Sequence, residues 1–217
     1  MQSQCAIDHL VVAAATLDAG AEYVRATLGV EPEVGGTHER MGTHNRLLKL
    51  GEALYLEVIA IDPSAAPLSR ARWFGLDRLA PDDPPQLLTW VVRTHDIDGS
   101  VARSGVVLGP VETMTRGNLS WRITVPAEGS LPSDGVMPSL IQWNVEQHPA
   151  DRLRDSGCSL VRLEARHVAA DRIEQALRAI DFAGPVTVNA AALGQPASLI
   201  AIIETAAGYR TLCSVRN

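Results

Sequence analysis

The chain has 217 residues, enough for one large domain or two small units sharing a core, and its 46% hydrophobic residues with only 4% aromatics imply a core of Val, Leu, Ile and Ala. With 25 acidic against 19 basic side chains the formal charge is -6, and no basic block can track a phosphate backbone, so nucleic acid is excluded as an expected partner. No apolar run reaches the roughly 18 residues that span a bilayer and no basic region precedes a hydrophobic signal core; with Cys5, Cys158 and Cys213 at unrelated spacings, a cytoplasmic chain with reduced thiols and no membrane contact is expected.

Residues 5–13, "CAIDHLVVA", are short and β-rich, and "TLDAGAEYVRATLGV" follows with Leu17, Ala21, Val24 and Leu28 at helical spacing. Thr16 is a candidate N-cap and Gly29 a candidate stop. "PEVGG", "GTHNRLLKLG" and "ALYLEVIAID" read as strands, the last two joined at Gly51-Glu52 as a hairpin. A linker whose centre has room for a short helix leads to "LLTWVVRTHDIDGSVARSGV", a strand then a helix. "GPVETMTR" reads as a strand, and "LSWRITV" with "MPSLIQWNV" as a second hairpin.

The order β, α, β, β, β thus occurs twice. Laid together, "HLVVAAATLD" pairs with "TWVVRTHDID" at an offset of 80, with Thr89 against His9, and Gln142 falls against Glu57 at an offset of 85. A third, incomplete copy follows: "GCSLVRLEARH" as a strand, "AADRIEQALRAI" as a helix with Ile173, Ala176, Leu177 and Ile180 on one face, then "VTVNAAA", "SLIAIIET" and an edge strand in "GYRTLCSV". The divisions are residues 1–62, a linker over 63–85, residues 86–147, and a C-terminal βαββ-like unit over 148–217.

Several ordered motifs, "IDHLVVA", "LGV", "GGTH", "GTHNRLLKLG", "YLEVIAIDP", "RWFGLD" and "MPSLIQWN", together resemble the glyoxalase-like domain family of the vicinal oxygen chelate superfamily, from about residue 6 to residue 145. The resemblance implies an α+β fold in which paired βαβββ modules curl into a cup-like mixed sheet, with a C-terminal partial third module. It also implies a divalent metal (Zn, Ni, Mn or Fe) inside the cup, held by a first-strand histidine and a fourth-strand glutamate, which here are His9 and Glu57. The activity implied is that of a metal-dependent lyase, isomerase or dioxygenase acting on a small oxygen-rich metabolite; the alternative is a metal-free small-molecule binding or resistance protein. Relatives often pair, so a homodimer is a leaning. A scaffold that hosts many chemistries does not choose among them.

The residues themselves give this pair a reason. Strand alternation puts Ile7, His9 and Val11 on one face and Tyr55, Glu57 and Ile59 on another. A carboxylate inside "LYLEVIAI" costs several kcal/mol to bury unless it is paired, hydrogen-bonded or bound to a cation. The plain alternative is a satisfied histidine and a glutamate facing water. Gln142 or His44 is the expected further ligand, and Glu57 is either ligand or catalytic base. His38, His44, Asn45 and Arg46, in a loop loosened by Gly35, Gly36 and Gly42, are the expected substrate contacts, and Arg46 suits a carboxylate or phosphate. Trp121 and Trp143, with Trp90, are expected either to wall the cup or to fill the core. His95 and His148 read as solvated and His167 as uninformative.

Overall fold

In the computed structural model, which describes residues 5–145 and 147–214, the doubled strand order is present. β1 (Ala6–Ala13) leads to α1 (Leu17–Leu28), which opens where Thr16 accepts the Ala19 amide at 3.2 Å and closes at Gly29, left-handed at φ 76°. β2 (Glu33–His38), β3 (Thr43–Gly51) and β4 (Leu54–Ile61) complete the first module. The second holds β5 (Gln86–Arg93), α2 (Ile97–Ser104), β6 (Val111–Arg116), β7 (Leu119–Thr124) and β8 (Ser139–Trp143). The two modules form one curled eight-stranded sheet in the order β2-β3-β4-β1-β5-β8-β7-β6. The fold is α+β, a cup of paired βαβββ modules.

β1 and β5 lie antiparallel at the centre, and each pairs in parallel on its outer side with the last strand of its own module. Val11 faces Thr89 and His9 faces Val91, so the same offset of 80 carries His9 onto Thr89 and Val11 onto Val91. The register slips between Ile7 and His9, which leaves Asp8 as an extra residue on β1, and again between Val11 and Val12, which leaves Leu88 extra on β5. Each module therefore carries a β-bulge at the same place in its first strand. The bulge breaks the alternation read from sequence: Ile7 buries in the convex core, while His9 and Val11 belong to the concave side.

The two faces of the sheet have separate cores. On the convex side Leu10, Val12, Leu56, Val58, Trp90 and Leu140 pack against Val24 and Leu28 of α1 and against the C-terminal unit. Trp90 belongs to that core, fully buried, with its indole N–H donating to the Val136 carbonyl at 2.8 Å and its ring edge-on to Phe182. On the concave side Val11, Ile59, Val91, Trp121, Ile123 and Ile141 pack under Trp73, Phe74 and Leu76 of the strap that joins the modules. The strap turns sharply at Phe74 and Gly75, both at positive φ (57° and 67°), and the Gly75 amide is held by the Gly129 carbonyl at 2.6 Å. Arg70 grips Glu112 of β6 through two bonds of 2.6 Å, so the strap is fastened across the cup.

The C-terminal unit keeps the strand-helix-strand order but not the modules' pairing. β9 (Ser159–His167), α3 (Ala170–Ala179), β10 (Val186–Ala190), β11 (Ser198–Thr205) and β12 (Gly208–Cys213) form a sheet in the order β10-β9-β11-β12. Here the first strand lies in parallel beside the strand that follows its helix, whereas in the modules it lies beside the last one. Ile173, Ala176, Leu177 and Ile180 are buried as the helical spacing predicts, and they help to cover the convex face.

Candidate active site in the cup

The concave face surrounds a narrow cavity of about 30 Å³, room for a water molecule or two. Its first-module wall is polar: His9 from β1, Tyr55 and Glu57 from β4, Asn45 from β3 and His38 from the end of β2. Its second-module wall is mostly apolar, formed by Ile123, Ile141, Trp121 and Trp143, with Arg116 at the rim and Trp73 and Phe74 contributed by the strap.

The bulge sets the chemistry of β1. Because Asp8 is the extra residue, its carboxylate turns beside His9 and accepts three donors: His9 Nδ1 at 2.6 Å, Trp143 Nε1 at 2.8 Å and His148 Nε2 at 3.0 Å. Asp8 is 0% exposed. Burial alone would push its carboxyl up, yet the hydrogen bonds and charges of His148 and His9 hold it well below the ordinary carboxylate range. With Nδ1 bound to Asp8, His9 presents Nε2 to the cavity, 3.6 Å from Glu57 Oε2. The other oxygen of Glu57 accepts Asn45 Nδ2 at 2.6 Å. Tyr55 stacks on the imidazole, centroids 4.6 Å apart, and burial with the nearby Asp8 and Glu57 carboxylates keeps its phenol protonated, far above the usual range.

On the opposite rim the two sheet edges meet. His38 and Arg116 are the last residues of β2 and β6, corresponding strands of the two modules, and Arg116 donates to His38 Nε2 at 3.1 Å and to Asn45 Oδ1 at 3.3 Å. His38 Nδ1 is 3.1 Å from Thr43 Oγ1. Burial, then the Arg116 charge, lowers the His38 pKa to about 3, so the ring is neutral and accepts from the guanidinium. The edges of Trp73 and Trp121 pack against it.

His9, Glu57, Asn45, His38, Trp121 and Trp143 thus gather in the cup, and three expected site residues do not. His44 and Arg46 alternate with Asn45 along β3 and so point away from the cup, where Arg46 pairs with Asp18 and Glu31. Gln142 alternates with Ile141 and Trp143 and accepts the Ile97 amide at 3.0 Å, holding the start of α2. The alignment that chose it is corrected by the register: Val11 stands beside Glu57, Val91 beside Ser139, so Ser139 occupies the place of Glu57 in the second module. The sequence reading missed Asp8, Tyr55, Arg116 and His148. Asp8 was signalled by its position directly before His9, and Arg116 by its place at the end of the strand matching that of His38. His148, read as solvated, is instead a largely buried partner of Asp8.

These donors test the metal that the resemblance implies. His9 Nε2 and Glu57 Oε2 face each other as two ligands of one ion would, and Asp8 orients the imidazole as a second partner commonly does. A resident zinc or iron ion takes three or more protein donors, however, and among the described residues no group of three His, Cys, Asp or Glu side chains is placed to hold one. The second-module counterparts are Thr89, spent on the Gly135 carbonyl at 3.0 Å, and Ser139, while a guanidinium stands on the same cavity. The residues present do not fit a resident divalent ion.

A family model for the glyoxalase-like domain matches residues 7–180. The chain belongs to the glyoxalase-like domain family. No curated protein matches it significantly. Among solved structures, a hypothetical protein from Staphylococcus aureus superposes on this glyoxalase-like domain protein with a TM-score of 0.57 at 13% identity, covering 96% of this chain and 85% of that one. A methylmalonyl-CoA epimerase from Streptomyces coelicolor, in complex with 2-nitronate-propionyl-CoA, matches at 23% identity and a TM-score of 0.45, covering 67% of this chain and 100% of that one. A mutant 4-hydroxymandelate synthase from the same organism matches at 16% identity and a TM-score of 0.48, covering 98% and 63%. Among the described residues no helix is long and apolar enough to cross a membrane.

Proposed function

We propose that this glyoxalase-like domain is an enzyme that moves a proton on a small oxygen-rich metabolite held in the cup, as an isomerase or a lyase does. The observation that carries the reading is the buried run Asp8, His9 and Glu57, which ends at two proton-accepting atoms on the cavity wall. Burying such groups costs several kcal/mol unless they are paired, and here each is held in one orientation: His9 by Asp8 and Tyr55, Glu57 by Asn45. A base placed in this way takes a proton from carbon next to a carbonyl, and its neighbour returns one to carbon or to a leaving group. Glu57 is the catalytic group carried over from the sequence, with His9 as its partner, and neither role routes through a metal.

A second reading, a protein that binds or sequesters a flat compound without turning it over, is favoured by the indole walls of Trp73, Trp121 and Trp143 and by the apolar second module.

Proton exchange separates the two. The protein is incubated in D2O with a panel of 2-oxo acids, 2-hydroxy acids and neutral 1,2-dicarbonyl compounds, and loss of the C–H signal next to the carbonyl is followed by NMR. Wild type should exchange at least one member, and His9→Gln and Glu57→Gln should each slow it by about a hundredfold or more. Saturable quenching of tryptophan fluorescence without any exchange selects the binding reading instead.

A further inference from the structure

Among the described residues six arginines are partly buried, and five have their charge answered by oxygen from the protein. Arg46 meets Asp18 and Glu31, Arg70 meets Glu112, Arg72 meets Asp77, Arg122 meets Asp98, and Arg93 is bound to the carbonyls of Ile7 and Ala53. Arg116 is the exception. Its NH1 donates to two neutral groups, His38 Nε2 and Asn45 Oδ1, and among the described residues Nε and NH2 make no hydrogen bond. A half-buried guanidinium without a counter-ion leaves a cation short of its solvation. The backbone makes room for it at Gly36, where a Cβ would stand 3.1 Å from Arg116 Cδ.

The neighbours direct the free edge of this group. Asn45 lies between the two charges of the cup, giving its amide hydrogen to Glu57 and its oxygen to Arg116, so the carboxylate does not close onto the guanidinium. An acceptor brought by a ligand to the cavity side of Arg116 is therefore separated from Glu57 by the Asn45 amide that bonds both, in a cavity that His9 also lines. The planar fork of arginine matches a carboxylate with two parallel bonds. A phosphate dianion would bring nearly twice the charge close to Glu57, which lines the same narrow cavity as Arg116.

Resting on the proton-transfer reading of the cup, we infer that its substrate is a small monocarboxylate, anchored by the unbonded nitrogens of Arg116, with the carbon next to the carboxylate turned to His9 and Glu57 on the opposite wall of the cavity.

The test uses the whole chain and four probes of known charge: benzoate, phenylpyruvate, benzamide and inorganic phosphate, titrated by tryptophan fluorescence and by thermal shift at low and high KCl. The carboxylates should bind at millimolar concentration or below, benzamide about tenfold or more weakly, and benzoate affinity should fall with salt. Arg116→Gln should reduce the preference for benzoate over benzamide to about twofold, and Arg116→Lys should keep part of it. If Arg116→Gln does not fold, because the side chain also ties β2 to β6, the wild-type ratio and its salt dependence still decide. Equal affinity for benzoate and benzamide, phosphate as the preferred probe, no saturable binding of either carboxylate, or a preference intact in Arg116→Gln would each overturn the inference. Its failure is distinct from that of the parent reading: exchange of neutral dicarbonyls with no carboxylate preference removes the inference alone, and carboxylate binding with no exchange removes the proton transfer alone.

Discussion

The first module carries Asp8 and His9 on the bulge of its central strand, and the second carries Leu88 and Thr89 on the matching bulge. Beside them stand Glu57 in one half and Ser139 in the other. Both strands bend at the same place and both are buried, so the curvature of the cup needs the extra residue and not the acid. The acid and imidazole groups at these matching positions are concentrated in one half of a repeated scaffold. In the other half the same positions are apolar or satisfied by their own backbone, as Thr89 is by Gly135.

The comparison is broken most severely by importing the second module's residue into the first. Asp8→Leu fits the bulge geometry but leaves His9, His148 and Trp143 without the oxygens they now share. Removing one partner from a buried charged network costs about 3–5 kcal/mol, and urea unfolding at neutral pH should show a loss of that size. The sign of its pH dependence follows from the depressed carboxyl. Ionised Asp8 contributes stability above its ordinary value of 3.8, and that contribution is lost as pH falls below it through the folded-state value. The gap between wild type and variant should therefore narrow in acid. A loss below about 1 kcal/mol at pH 7 would mean that the bulge tolerates either residue and that Asp8 is not what fixes His9.

A somewhat smaller effect tests the rim where the modules meet. His38 titrates near 6.5 when unfolded but near 3 when folded, so unfolding takes up a proton between these values and stability falls with pH across that window. The slope approaches 1.4 kcal/mol per pH unit, giving a loss of about 2 kcal/mol between pH 7 and pH 5. His38→Gln keeps an acceptor for Arg116 and removes the titration, so its urea midpoint should change much less over that range. An unchanged slope would assign the acid sensitivity elsewhere.

Most of the architecture was legible because it rests on local rules. Thr16 and Gly29 bound α1, Ile173 to Ile180 mark a helical face, and the recurrence of Val-Val and of Leu/Ile-Asp at a constant offset gave the module repeat. What strand alternation could not foresee is the bulge. One additional residue at Asp8 moved Ile7 to the convex side and brought the acid beside the histidine it directly precedes. The same weakness misplaced Gln142: sequence alignment with gaps set it against Glu57, whereas parallel pairing with the central strand sets Ser139 there. His44 and Arg46 sit in glycine-rich surroundings, yet β3 pairs residue by residue with β4 from Thr43 to Lys49, and only Asn45 of that trio faces inward. Arg116 has no signal in its own segment beyond its place at the end of the strand that matches the one ending in His38, and it becomes a site residue only when two edges far apart in sequence close on each other.

The smallest expected effects lie in the second module and sharpen the contrast. Thr89→Val removes a buried hydroxyl donor from the Gly135 carbonyl, and Gln142→Ala removes the acceptor at the start of α2, so each should cost about 1 kcal/mol in urea unfolding. Neither side chain touches the cavity that His9 and Glu57 share. Proton exchange on any compound the cup turns over, and fluorescence quenching by any it binds, should therefore stay within about twofold of wild type in both variants. A large loss of exchange in Gln142→Ala with folding intact would mean that α2 and the convex side govern the cup, because the glutamine faces that side and could act on the chemistry only through the strand it shares with Ile141 and Trp143.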